Sequence, residues 1–437
     1  FCRAVLFLQA VVYSGQKRGD AAVERLVFHV DVNSAFLSWE AARRVAAGEA
    51  DLRLIPSAIG GDRDKRTGII LAKSIPAKKY GVTTGEPVGM ALRKCPQLVL
   101  APPDFRLYSR NSKAFITVCR RFAPVVEQVS IDECFLDMSG TRLLYPDPVA
   151  IAHTIKDTIA GELGFTVNVG IAPNKLLAKM ASDFEKPDKV HTLFPDEIPQ
   201  KLWPLPVGEL FSVGRRTADK LTAARIRTIG DLAHTELSEL QRLTGVKLAR
   251  LLHDYANGLD NAPVLAEPEA VKGYGNTTTL EQDVTSIEQA NKILLALCDS
   301  VASRMRADAR RCSCVMVTIR SNDFRNRSHQ RRLPEPTDVT AELYALARKL
   351  FAELWDGHTP LRLLGVTLGD VSDDTAVQLS LFQDEKKDRA RKLDQTVDAL
   401  RSKFGVTAIT RGSTNQDTRR VGRKYKAQLE EAKPPKK

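Results

Sequence analysis

The sequence predicts a multidomain protein of the α+β class. Three observations carry that expectation. The chain has 437 residues, 43% of them hydrophobic and 27% charged, which is enough for two to four domains with separate cores. In its first half, short apolar runs of strand character alternate with stretches of helical period, the order of an antiparallel sheet with helices on one face. A helical stretch over 195–261 and the linker-like NAPVLAEP then separate that half from a second strand-and-helix unit over 271–370.

Residues 1–24 are expected to lie outside the folded unit, as an extension or the product of an upstream start. FCRAVLFLQAVVY is apolar but lacks the basic start and small-residue cleavage site of a signal peptide. LVFHVDV, from Leu26 to Val32, reads as a buried strand broken only by His29 and Asp31. Asn33 or Ser34 can cap the next helix, which carries Phe36, Trp39, Ala42 and Ala46 and ends at Gly48. Asp31 thus stands at a strand end one turn before a helix, where free N–H groups often meet phosphate. Taken alone, it reads as a strand-end acid.

Residues 51–104 form a small module. Leu54–Ile59 and Gly68–Ala72 are strands around the loop GGDRDKRTG. AKSIPAKKYGV follows, with Lys73, Lys78 and Lys79 around a proline, and then the helix-like VGMALRKCP. These lysines suit a triphosphate or a plain solvated surface equally well. A helix from Tyr108 to Phe122 ends at Pro124. Asp147-Pro148 opens an amphipathic helix reaching Leu163, FTVNVGI alternates as a strand, and Asn174 caps LLAKMASDF, which stops at Lys186-Pro187.

Between those helices lies VSIDECFLDMSG. Its apolar residues read as a buried hairpin with two adjacent acids, Asp132 and Glu133, at the apex. Burying carboxylates is costly unless a partner such as a metal ion neutralises them. For an isolated pair of acids, a solvated turn is the stronger reading.

In the helical stretch, FSVGRRTADKLTAARIRTIGDLA has a Val213-Gly214 turn leading into a helix, and a second turn near Gly230. It resembles a helix-hairpin-helix, which presents N–H groups to nucleic-acid phosphates, with Arg215 and Arg216 beside the turn. The last unit has strands GYGNTTTL, SCVMVTIR and LLGVTLGDV and helices over 286–307 and 340–355. Nine Arg and two Asp fall between Arg304 and Arg332. With a net charge of +12, such clustering suits a polyanion, and salt-sensitive phosphate contacts are expected from Arg320, Arg325, Arg331 and Arg332. From Ser372 onward the chain reads as a polar tail, interrupted by Gln378-Leu379-Ser380-Leu381-Phe382. That patch is either incidental or a peptide that docks in a partner's apolar pocket. Seven cysteines without a Cys-x-x-Cys pair show no zinc pattern and fit a reducing, cytoplasmic setting. No run is long enough to span a membrane, and none is expected to.

HVDVNSAF, AKKYGV, SIDECFLD, VGIAPNKLLAKMASDFEKPD, the helix-hairpin-helix and QLSLF occur in that order. Together they resemble the Y-family, lesion-bypass DNA polymerases, over roughly 25–420. The resemblance implies a right-hand polymerase: a palm over 25–44 and 105–194, small fingers over 45–104, a helical thumb over 195–262, a linker over 263–270, a little finger over 271–370 and a tail over 371–437. It implies error-prone addition of dNMP to a primer 3′-hydroxyl with two Mg²⁺ ions and no proofreading. Asp31, Asp132 and Glu133 match the family's metal-binding acids, and the backbone carbonyl of Val32 joins them. Phe36 matches the steric gate that excludes a ribose 2′-hydroxyl. Lys78 and Lys186 match the cations that meet the triphosphate, while Gly214, Arg215 and Arg216 fall in the DNA-gripping thumb. QLSLF, through Gln378, Leu379, Leu381 and Phe382, resembles the peptide by which bacterial polymerases dock on the sliding clamp. Primer–template DNA, dNTPs and the clamp are therefore the expected partners of a monomer. Two positions depart from the pattern. Ile75 stands where Tyr is frequent, and Lys78 where Arg is commoner, which replaces a bidentate fork with a point charge. Rival readings are a nucleotide cyclase, from Gly60-Gly61-Asp62, and a non-catalytic DNA- and clamp-binding protein.

Overall fold

The computed structural model describes residues 25–62, 68–267, 269–373, 385–405 and 408–409. It divides into two compact units, one running to Asp62 and over Ile69–Glu269, the other from Ala270 onward. Both mix helices and strands.

The first unit is built on a five-stranded sheet ordered β5-β6-β1-β7-β8. Its strands are β1 (Val27–Val32), β5 (Val125–Gln128), β6 (Glu133–Asp137), β7 (Val167–Ala172) and β8 (Val190–Thr192). All pairs are antiparallel except β7 with β8. β1 is central and buried throughout, as its near-continuous apolar run requires. Three helices, α1 (Ala35–Ala46), α4 (Phe105–Cys119) and α5 (Pro148–Leu163), bring Trp39, Tyr108, Phe115 and Ile155 onto Phe28, Val30 and Leu136. Each such buried side chain contributes roughly 1.5–3 kcal/mol.

The sheet is covered on both faces rather than one. Helix α6 (Lys175–Asp183) packs on the face that carries Val27 and Phe135. Gly170 of β7 makes this possible: a Cβ there would lie 2.0 Å from the carbonyl oxygen of Ala178 and 2.5 Å from the nitrogen of Ser182. The strand backbone therefore touches the helix backbone directly.

Asp147 and Asn174 cap α5 and α6 as expected. Ser34 does not cap α1. It is left-handed (φ 47°) and its side chain makes no cap bond. Asn33 instead fixes the turn, donating to Asn168 Oδ1 (3.0 Å) and accepting from Thr166 Oγ1 (2.9 Å) and the Asp188 N–H (3.0 Å).

The small module has a third strand. β2 (Ser57–Gly60) lies between β3 (Ile70–Lys73) and β4 (Val99–Ala101), beside α2 (Ile75–Lys79) and α3 (Val88–Lys94). The helical stretch comprises α7 (Ile198–Lys201), α8 (Arg215–Ala223), α9 (Ile229–His234), α10 (Leu237–Thr244) and α11 (Val246–Ala256). Leu221, Leu232 and Leu252 share a core with Leu176 and Leu177 of α6.

The second unit is a four-stranded antiparallel sheet ordered β11-β10-β12-β9. Its strands are β9 (Gly273–Val284), β10 (Arg310–Ser321), β11 (Asn326–Thr337) and β12 (Leu361–Asp373), and its core is shared with α12 (Ile287–Ala307) and α13 (Thr340–Leu354). β11 is an edge strand that the sequence reading did not assign. The expected polar tail contains a further helix, α14 (Glu385–Phe404), docked by charge. Arg306 reaches Asp398 (2.7 Å) and Asp394 (3.5 Å), Arg401 reaches Asp299 (2.8 Å), and Arg391 reaches Asp338 (2.9 Å). No helix among the described residues is long and apolar enough to cross a membrane.

Candidate active site

Two adjacent strands place the acids. Asp31 is the penultimate residue of β1, and Glu133 opens β6 directly opposite it. The Val32 N–H donates to the Asp132 carbonyl (3.0 Å), which fixes the turn that carries Asp132. Strand alternation sends His29 and Asp31 to the face covered by α6. From the middle of that helix and the loop beyond it, Lys179 and Lys186 reach back to the acids.

Every carboxylate meets a partner. Asp31 is almost wholly buried (7% exposed), and its Oδ2 contacts the Lys186 ammonium, which also pairs with Asp183 at 2.8 Å. Burial pushes Asp31 above the usual carboxylate range, and Lys186 offsets this only in part. Burial also works against the charge of Lys186, but its two aspartates outweigh it and hold the pKa above the usual value. Glu133 Oε2 accepts from His29 Nε2 (3.2 Å) and Lys179 Nζ (3.1 Å). The His29 hydrogen bond, opposed by burial and aided by Lys179, lowers Glu133 to about 2. Burial lowers His29 itself, against the pull of Glu133. Asp132 Oδ1 accepts from Ser130 Oγ (2.6 Å).

Asp31, Asp132, Glu133 and Lys186 line one cavity of about 500 Å³, together with Val32, Phe36, Lys73, Ile75, Lys78 and Thr84. The structure thus gathers Asp31, Val32, Phe36, Lys78, Asp132, Glu133 and Lys186 around a single space, although they are drawn from β1, α1, α2, the β5–β6 turn and the loop after α6. Phe36 is half-buried and stacks on Tyr108, with centroids 4.4 Å apart and planes 7° from parallel. Phe105 meets it edge-on at 6.2 Å. Tyr108 is fully buried, and burial pushes its pKa up to about 12. The Phe36 ring is therefore backed by an aromatic wall.

The donor set suits a hard cation. It consists of carboxylate oxygens, and among the described residues Asp31 Oδ1, Asp132 Oδ2 and Glu133 Oε1 take no hydrogen bond. The buried, unfavourably ionised Asp31 would gain from a positive ion. The three acids are not drawn together as a tight ligand cluster, and no group of three or more His, Cys, Asp and Glu among the described residues is.

The remaining expected residues are dispersed. Gly214 opens α8, with Arg215 and Arg216 exposed in its first turn. Arg320 pairs with Asn326 (2.7 Å), Arg332 with Asp370 (2.9 Å) and Arg325 with Asp323 (3.1 Å). Arg331 turns to the helix side of the sheet, where it meets Glu353 of α13 at 2.8 Å, so it does not share a face with Arg332. Gln378, Leu379, Leu381 and Phe382 lie outside the described residues. His29, Lys179 and Ser182 are contacts of the site that the sequence reading passed over. In sequence, only the polarity of His29 within an apolar strand hinted at them.

Comparison with known proteins agrees with this architecture. Residues 30–183 match the model of the impB/mucB/samB family, 271–381 match that family's C-terminal domain, and 208–260 match a thumb-domain model described as DNA polymerase-iota. The DNA polymerase IV of Clostridium acetobutylicum is 44% identical over 390 residues, covering 89% of this chain and 98% of the relative. The DNA polymerase IV 1 of Bacillus subtilis is 36% identical over 395 residues, covering 89% and 93%. A solved Y-family DNA polymerase chimera shares the fold, with a TM-score of 0.69 at 23% identity over 80% of this chain and 99% of the other. With Asp31, Asp132, Glu133, Phe36, Lys78 and Lys186 around one cavity and relatives matched almost end to end, this chain belongs to the Y-family of DNA-directed DNA polymerases, on the DNA polymerase IV branch.

Proposed function

We propose that the cavity is where this chain adds dNMP to a primer 3′-hydroxyl, as a template-directed translesion polymerase that uses two Mg²⁺ ions. The convergence of Asp31, Asp132, Glu133, Phe36, Lys78 and Lys186 on one 500 Å³ space carries the proposal. When bound, such ions would supply activation of the attacking oxygen and stabilisation of the leaving one. Asp31 and Asp132 would hold both ions with the Val32 carbonyl, and Glu133 would face the attacking hydroxyl. Lys186 neutralises Asp31 and stands ready for the more densely charged triphosphate. Lys78, exposed on α2, meets it from the other side as a point charge. Phe36, held by Tyr108, excludes a 2′-hydroxyl by a clash.

The Gly214–Arg216 turn and the arginines of the second unit would bind DNA backbone, and Gln378–Phe382 would dock on the sliding clamp. The enzyme would act as a cytoplasmic monomer with low fidelity and no proofreading. Clamp docking is ruled out if deleting Gln378–Phe382 leaves clamp-stimulated synthesis unchanged. The catalytic reading is tested by primer extension with Mg²⁺ and dNTPs. Extension by the wild type that disappears in Asp132→Ala supports it. DNA binding without extension would favour a non-catalytic DNA-binding protein.

A further inference from the structure

His29 is fully buried in the central strand, where every other residue except Asp31 is apolar. An apolar side chain would fill that place without the cost of desolvating two ring nitrogens. Both nitrogens are satisfied. Nδ1 lies 2.7 Å from Ser182 Oγ and Nε2 lies 3.2 Å from Glu133 Oε2. The ring also sits 4.7 Å from Phe135, tilted by 55°.

This arrangement follows from local sequence. His29 and Asp31 share a face of β1. The register sets Phe135 opposite His29 and Glu133 opposite Asp31, so Glu133 is the diagonal neighbour of the imidazole. Gly170, opposite His29 on the other flank, lets α6 approach closely enough to bring Ser182 beneath the ring. A carboxylate only accepts, so the nitrogen facing Glu133 must carry a proton. Lys179 Nζ meets the same oxygen at 3.1 Å. Oε2 is thereby tied from below by two donors, and Oε1 is left for the cavity that Glu133 lines.

We infer that His29 is a positioning residue: seated on Ser182, its Nε2–H holds the Glu133 carboxylate in a single orientation for nucleotidyl transfer. The inference rests on the polymerase reading of the cavity. Outer-shell groups that orient such carboxylates typically matter by about 10–100-fold.

The test uses the full chain. His29→Phe keeps ring volume and removes the donor, whereas His29→Gln keeps an amide N–H near the position of Nε2. In single-turnover incorporation, His29→Phe should lower the maximal rate by about tenfold or more, with the apparent dNTP Kd within about twofold. His29→Gln should recover most of that loss. Independently of activity, the histidine ¹⁵N spectrum of the metal-free protein should show the His29 Nε2 protonated, with its signal shifted in Glu133→Gln. A wild-type rate in His29→Phe, an equal loss in His29→Gln, or an unprotonated Nε2 would each overturn the inference. Should His29→Phe fail to fold, the glutamine variant and the spectrum still decide it. If the wild type itself extends no primer, the polymerase reading falls, whereas the spectrum still reports on the His29–Glu133 contact.

Discussion

Phe36 shows how a residue acquires a function from its surroundings. A half-buried phenylalanine at the first turn of a helix is unremarkable in sequence. In the fold it is pressed on Tyr108 at 4.4 Å, so the ring cannot retreat from a bulkier sugar. Phe36→Ala should raise ribonucleotide incorporation by at least about tenfold, the equivalent of ~1.4 kcal/mol of lost discrimination. Steady-state insertion of matched rNTP and dNTP measures this, and unchanged selectivity would remove Phe36 from the gate. Asp31, Asp132 and Glu133 stand out in sequence as acids interrupting apolar runs, but taken alone they read as strand-end and turn acids, and only the family resemblance linked them. His29, Lys179 and Ser182 were not legible, because their meeting depends on α6 packing against β7 at Gly170, a contact without local periodicity. The face that Arg331 takes was not legible, because a run of arginines gives no hint of which strand face each occupies until the register is known.

At the scale of elements, strands and helices with a strong apolar period were legible and polar ones were not. β1 and α5 follow directly from their patterns. β11 escaped because it is an edge strand with exposed polar residues and with Pro334 and Pro336 in its span, features that weaken any strand signal. α14 escaped although Ala390, Leu393, Val397, Leu400 and Phe404 recur in it at helical spacing, because most of its residues are charged or polar; Leu393 and Phe404 stay exposed. Its buried residues are Asp394 and Arg401, and it is held by ion pairs. Removing one partner of such a pair leaves the other charge buried without its counter-charge. Arg306→Met removes the cation that faces Asp394 and Asp398, which keep hydrogen bonds from Thr340 and Ser303, and should destabilise the second unit by about 1–3 kcal/mol. Denaturant unfolding and limited proteolysis would show this as a lowered midpoint and early cleavage within 385–404. A midpoint equal to that of the wild type would mean that the charged contacts do not hold the helix.

Across the whole molecule, the division into an α+β half, a helical stretch and a second α+β unit could be read from linkers and periodicity. The net charge of +12 indicated a polyanionic partner without locating it. The sheet geometry makes the prediction specific. Arg320 and Arg332 lie on the sheet face opposite α12 and α13, whereas Arg331 is engaged with Glu353. Replacing Arg320 or Arg332 by Ala should weaken primer–template binding and reduce the slope of log K against log salt by about 1 each. Arg331→Ala should leave that slope nearly unchanged, and three equal effects in a salt titration would contradict the assignment of faces.

The central claim is that the cavity at the ends of β1 and β6 performs the chemistry. Single-turnover incorporation of one correct dNMP by Asp132→Ala, on a primer–template it still binds, tests this most directly. The account predicts a rate at least about a thousandfold below wild type, ~4 kcal/mol of lost transition-state stabilisation, with DNA affinity retained. A rate within tenfold of wild type would contradict it.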